Sequence, residues 1–164
     1  MRWWLRQAQW DARRLVFLDE TGLNTQMIRR HGRAPTGSRC LDRVPHGHWQ
    51  TTTFLAALRH DRLTAPLLLD GPLDGDLFLA WVTQSLGPTL QPGDLVLCDN
   101  LACHKVAGVR AALAARGAQL LYLPAYSPDF NPIELAFAKL KAALPTFTPE
   151  HCANFFRHAQ YATT

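Results

Sequence analysis

The chain has 164 residues, 48% of them hydrophobic, and a net charge of +4. That length holds one domain with a substantial core. No apolar run approaches the roughly 18 residues of a membrane span, and the start, Met1-Arg-Trp-Trp-Leu-Arg6, lacks the apolar stretch of a signal peptide, so a cytosolic protein is expected. The charge is uneven, because residues 1–48 hold nine arginines against four acids. Arginine pairs bidentately with phosphate, so the skew points to nucleic acid, with a solvated basic surface as the plain alternative.

Residues 1–14 read as a short helix or linker carrying Trp3, Trp4 and Trp10. A buried strand follows over 15–19, and Thr21-Gly22 reads as a turn. Residues 26–34 are a candidate second strand, closed by a turn at Pro35-Thr-Gly37. The β-formers of 49–59, the polar His60-Asp61-Arg62 and the apolar 65–69 predict a hairpin. The period then changes: Leu79, Val82 and Leu86 recur at helical spacing within 76–86, and Gly87-Pro88 should end that helix. A strand over 94–98 precedes an alanine-rich helix over 105–116, with Gly117 as its C-cap. Another strand covers 119–123, a loop 124–128 and a helix 132–144. The tail 145–164 is expected to be helical, which leaves 15–144 as the domain proper. This order predicts an α/β fold, a central mixed five-stranded sheet flanked by helices. It suits a ribonuclease-H-like arrangement in which the first and fourth strands are neighbours.

Three acids stand at the ends of these elements. Asp19 closes the first strand, Asp99 follows the strand over 94–98 in Leu95-Val-Leu-Cys-Asp-Asn100, and Glu134 opens the last helix. Each has a structural explanation on its own. Asp19 suits a turn, Asp99-Asn100 a local cap, and Glu134 falls where it would complete a capping box with Asn131 across Pro132. Together they are what a hard-metal site wants: magnesium prefers oxygen ligands, and two such ions activate the attacking oxygen and stabilise the leaving one in phosphodiester cleavage. Metal-free, such a cluster would repel itself and raise at least one pKa.

Lys141 lies two helical turns beyond Glu134, on the same face, within reach of a phosphate. His104 and Lys105, and the basic Arg29, Arg30 and Arg33, are the other candidate DNA contacts. His46-Gly-His48 reads as an exposed loop rather than a ligand pair. Cys40, Cys98, Cys103 and Cys152 lack paired Cys-x-x-Cys spacing and read as free thiols. No glycine-rich phosphate loop or nucleophile elbow is present.

The runs Asp99-Asn-Leu-Ala-Cys-His-Lys105 and Leu121-Tyr-Leu-Pro-Ala-Tyr-Ser-Pro-Asp-Phe-Asn-Pro-Ile-Glu134 resemble the DDE transposases of the mariner superfamily, in the bacterial insertion-sequence branch called IS six-thirty. Val16-Phe-Leu-Asp-Glu-Thr-Gly22, Gly32-Arg-Ala-Pro35, His46-Gly-His-Trp-Gln-Thr-Thr-Thr53 and Cys152-Ala-Asn-Phe-Phe156 extend the likeness over nearly the whole chain. The resemblance implies a ribonuclease-H-like catalytic domain, with Asp19, Asp99 and Glu134 as ligands of two Mg2+ or Mn2+ ions. It implies hydrolysis at transposon ends and attack of the freed 3′-hydroxyl on target DNA, typically at a TA step. It also implies double-stranded DNA as partner, a homodimer that pairs two ends, and a place on the bacterial nucleoid.

The sequence departs from that pattern at Phe137, where many relatives have tryptophan. Relatives also carry N-terminal helix-turn-helix domains, which 18 residues before Asp19 cannot hold. A second reading frame, a fragment, or a separate helix-turn-helix partner chain is therefore expected. The rival readings are an inactivated relic that binds DNA or dimerises without catalysis, and, far behind, a glycosidase using two of the acids.

Overall fold

The computed structural model describes residues 10–24, 32–41, 51–125 and 127–143. Within them the chain forms β1 (Leu15–Asn24), β2 (Thr51–Leu58), β3 (Leu63–Asp70), α1 (Gly75–Trp81), β4 (Leu95–Cys98), α2 (Val109–Ala114), β5 (Gln119–Tyr122) and α3 (Ile133–Ala143). The sheet order is β3-β2-β1-β4-β5. The β1–β2 and β2–β3 pairs are antiparallel, whereas β4 lies parallel to both β1 and β5. This is the mixed five-stranded sheet expected from the element order, with the first and fourth strands side by side.

Strand alternation divides the core in two. Val16 and Leu18 of β1 join Phe78, Trp81, Val109 and Leu113 in one buried cluster, under α1 and α2. Leu23, with Phe17 packed against the cluster, faces Ile133 and Phe137 of α3 on the other side. Phe137 meets Phe54 edge to face, with ring centroids 5.7 Å apart, so the departure from tryptophan at this position is a matter of packing.

Several elements differ from their sequence expectation. Thr21-Gly22 is not a turn: β1 runs on to Asn24, and these residues pair with Phe54 and Thr53. A ladder partner outweighs the local turn preference. Of the candidate strand 26–34, residues 26–31 lie outside the described region, and 32–34 are not in a strand. The turn at Pro35–Gly37 is present, closed by the Ser38 amide donating to the Pro35 carbonyl at 2.9 Å. Residues 1–9, His46, His48, Arg29, Arg30 and the tail from 144 lie outside the described residues, and the end of the predicted N-terminal helix is only a 3-10 turn over Ala12–Arg14.

The hairpin at 60–62 is as expected, with the Arg59 amide donating to the Arg62 carbonyl at 2.8 Å. Helix α1 does not stop at Gly87-Pro88. It widens into a π turn over Val82–Leu86 and tightens into a 3-10 turn over Gly87–Thr89, where Pro88 needs no N–H donor. The helix expected over 105–116 begins only at Val109, because Gly108 takes φ +100 and a separate 3-10 turn covers Ala102–Lys105. Its end is as predicted. Gly117 is left-handed at φ +72, and the amides of Gly117 and Ala118 donate to the carbonyls of Ala114 and Leu113 at 2.9 and 3.1 Å. Among the described residues no helix is long and apolar enough to cross a membrane.

Candidate active site

The parallel pairing of β1 and β4 matches Leu15 with Leu95 and Phe17 with Leu97. Carried two residues on, that register sets Asp19 opposite Asp99 at the same end of the sheet. Both share the odd-numbered face that α3 covers. Asp19, Asp99 and Glu134 line one cleft of about 430 Å³ with Asn100, Leu101, Leu123, Pro124, Ala125, Ser127 and Asn131. The structure thus brings together three acids drawn from a central strand, the end of its neighbour and the start of α3.

Asp19 is buried. One of its oxygens accepts from the Glu20 amide at 2.9 Å and the other from the Asn131 side-chain amide at 3.0 Å. Burial, then the charge of Glu20, and further those of Glu134 and Asp99, push its carboxyl up to about 7. The capping role expected of Asn131 is not what its side chain performs. Its Nδ2 is given to Asp19, its Oδ1 is buried without a hydrogen-bond partner, and only its backbone carbonyl receives the Glu134 amide, at 3.1 Å. Asn100 has a comparable bracing part, its side-chain amide donating to the Leu123 carbonyl and tying the end of β4 to the chain after β5.

Asp99 is held differently. Its Oδ1 accepts from the Leu101 amide at 3.0 Å and lies 2.6 Å from Nδ1 of His104. Burial would raise its pKa, but the hydrogen bonds from His104 and Leu101 overcome this and hold it below the usual carboxylate range. His104 is fully buried, so the DNA contact expected of it is corrected: its ring sees no solvent. Its Nε2 is 3.0 Å from Glu20, and its ring stacks at a tilt on Phe78 with centroids 4.4 Å apart. Burial works to lower its pKa, yet the two carboxylates raise it to about 9, so the ring is an imidazolium at neutral pH.

Lys105 is exposed and sits over the Tyr122 ring, 5.6 Å from its centroid. Lys141 lies on α3 about 10 Å along the axis from Glu134, and it is not among the residues lining the cleft. Arg33 is exposed. The thiols of Cys40, Cys98 and Cys103 are free. Burial, aided by the neighbouring carboxylates, pushes Cys98 up to about 12, which suits an inert core thiol. Ligand atoms of Glu20, Cys103 and His104 lie within 4.8 Å of one another. Both ring nitrogens of His104 are already engaged by carboxylates, which explains this grouping without a metal.

Sequence reasoning missed Glu20 and misread Asn131. Strand alternation carried the first signal, since Glu20 must point away from Asp19 and into the α1 side of the sheet. For Asn131 no local signal existed, because its partner lies 112 residues away.

The profile of the DDE superfamily endonucleases matches residues 14–151, and the chain belongs to this family. Among solved structures the fold is similar to that of a pre-cleavage Mos1 transpososome, at 16% identity and a TM-score of 0.69, over 98% of this chain and 52% of that one. It is similar to the catalytic domain of Mos1 mariner transposase, at 17% identity and TM-score 0.65, over 94% of this chain and 72% of that one. The mariner Mos1 paired end complex with Mg is matched at 19% identity and TM-score 0.71, over 94% and 50% respectively. The chain thus spans about half the length of the transpososome protein, and at these identities the likeness shows the ribonuclease-H-like fold alone. No curated protein matches the sequence.

Proposed function

We propose that this chain is the catalytic core of a DNA transposase, of the bacterial IS six-thirty branch of the mariner superfamily, with Asp19, Asp99 and Glu134 as its metal ligands and catalytic acids. The observation that carries the reading is the convergence of three carboxylates, remote in sequence, on one cleft. Among the described residues no lysine or arginine pairs with any of them; only His104 does, with Asp99. The set suits a hard divalent cation: all the side-chain donors are oxygens, Asp19 is raised by burial and then by its acidic neighbours, and the Asn131 Oδ1 is left unpartnered. Family membership, and the occurrence of magnesium in a mariner complex of the same fold, support the same reading.

When bound, a pair of such ions supplies charge neutralisation at the phosphate and activation of the attacking oxygen. The protein's own contribution is orientation. Asn131 and the Glu20 amide fix the Asp19 carboxylate, and the Leu101 amide fixes that of Asp99. Leu101, Leu123, Pro124 and Ala125 give the cleft an apolar wall that limits water beside the reacting phosphodiester. The proposed sequence is hydrolysis at the transposon ends, then attack by the freed 3′-hydroxyl on target DNA, with a homodimer pairing two ends. Lys105, Lys141 and the arginines Arg29, Arg30 and Arg33 are proposed phosphate contacts, and a helix-turn-helix partner chain or segment the reader of the end sequence.

The test is cleavage of end-containing duplex DNA in Mg2+ or Mn2+. The wild-type chain should nick it, and Asp99→Ala should not, with an unchanged circular-dichroism spectrum. Metal-dependent cleavage retained by Asp99→Ala would sink the assignment.

A further inference from the structure

We propose that His104 and Glu20 are positioning residues, a buried clamp that fixes the Asp99 carboxylate for metal. This rests on the site assignment above. Neither residue lines the cleft.

Asp99 needs such a clamp. It lies one residue beyond the end of β4, so no ladder holds its backbone, and its side chain is 39% exposed. Both of its donors, the Leu101 amide and His104 Nδ1, engage the same oxygen, Oδ1. Restraining one oxygen fixes the plane of the carboxylate and leaves Oδ2 for a ligand.

The clamp is itself fixed at every point. Glu20 Oε2 holds Nε2 at 3.0 Å, so the imidazole cannot swing about its Cβ–Cγ bond. Phe78 packs on the ring, and the Tyr122 hydroxyl donates to the His104 backbone carbonyl at 3.0 Å. The adjacent acids of β1 therefore have separate tasks. Asp19 serves the cleft on one face of the sheet, and Glu20 anchors the histidine on the other. Burying an ion pair of this kind brings little net stability. Orienting a ligand carboxylate through an outer hydrogen bond is a recurrent device of metal sites.

Amide isosteres separate orientation from packing. An asparagine at 104 places its side-chain nitrogen near the position of Nδ1, toward Asp99. A glutamine places its nitrogen near Nε2, toward Glu20, and leaves Asp99 loose. Mn2+ affinity of the full chain would be measured by titration calorimetry for wild type, Asp99→Ala, His104→Asn, His104→Gln and Glu20→Ala, with cleavage rates at saturating Mn2+ alongside. Asp99→Ala should lose affinity; if it binds like wild type, the site assignment itself falls. Given that loss, the clamp predicts that His104→Gln, which loses the donor to Asp99, weakens binding by about tenfold or more, while His104→Asn and Glu20→Ala, which keep that donor but lose its Glu20 anchor, weaken it by about threefold. Equal affinities for the Asn and Gln variants, or wild-type affinity in Glu20→Ala, would overturn the clamp and leave the site assignment standing. Should a His104 variant fail to fold, Glu20→Ala decides alone, since the Glu20 side chain is partly solvent-exposed.

Discussion

Replacing Asp19 by asparagine should make the metal-free domain more stable while removing its activity. Burial and three neighbouring carboxylates raise Asp19 from 3.8 to about 7. At about 1.4 kcal/mol per unit, the ionised form carries a penalty of roughly 4 kcal/mol at pH 8. Asparagine escapes that penalty. It gives up a charge-strengthened bond to the Glu20 amide or to Asn131, worth about 1.5 kcal/mol. The Asn131 side chain can turn its unpartnered Oδ1 to accept from the new amide, which limits the loss.

A net gain of about 2 kcal/mol is expected, or roughly 4–8 °C in Tm for a domain of this size. The folded state keeps the Asp19 proton between about pH 4 and 7 whereas the unfolded state does not. Wild-type stability from this group is therefore full below about pH 4 and lost as pH rises through about 7. At pH 5 the penalty shrinks to about 1.5 kcal/mol, and the two proteins should melt together. Thermal and urea unfolding in EDTA at pH 5 and pH 8 reads this out. Mg2+ should then stabilise wild type but not the variant, by about 2.7 kcal/mol at a hundred times its Kd. An Asp19→Asn protein no more stable than wild type at pH 8, or a gain that is the same at both pH values, would refute the reasoning.

Other consequences are simpler to read. Glu134→Gln removes a proposed ligand at an exposed helix start, so DNA cleavage should vanish while Tm moves by no more than about 2 °C. Phe137→Ala opens a cavity under α3 where Phe54 packs, and should cost about 3–5 kcal/mol in urea unfolding; a loss under 1 kcal/mol would mean that α3 is not anchored there. Asp94 is fully buried and pairs with the buried Arg59, so Asp94→Ala strands a guanidinium and should cost about 3–5 kcal/mol without altering Mn2+ affinity of any folded fraction. Gly117→Ala places a Cβ 3.1 Å from Pro92 at a left-handed φ, and should lower stability by more than about 1 kcal/mol.

The candidate acids were legible in sequence because each follows an apolar run or opens a helix, and both patterns are local; that Asp19 lies within β1 rather than at its end was not. An apolar run into Asp19, another into Asp99, and Asn131-Pro132 ahead of Glu134 need no tertiary information. The hairpin at 60–62 and the Schellman end at Gly117 were legible for the same reason: turn chemistry is written in the turn residues. Errors arose where a distant partner decided the outcome. Thr21-Gly22 became strand because β2 lies beside it, and the helix after Gly87-Pro88 tightened rather than stopped. His104 changed from an expected DNA contact to a buried cation, because Glu20, 84 residues away, sits on its other nitrogen.

Alone, the sequence marked out most of the strands and helices, the mixed five-stranded sheet and the three candidate acids, all read from local spacing and the order of the elements. The tertiary structure decided which side chains surround those acids. The parallel register of β1 and β4 put Asp19 and Asp99 on one face with Asn131, and Glu20 with His104 on the other. Burial and hydrogen bonding between residues about a hundred positions apart depend on how the sheet pairs, and no local pattern encodes that.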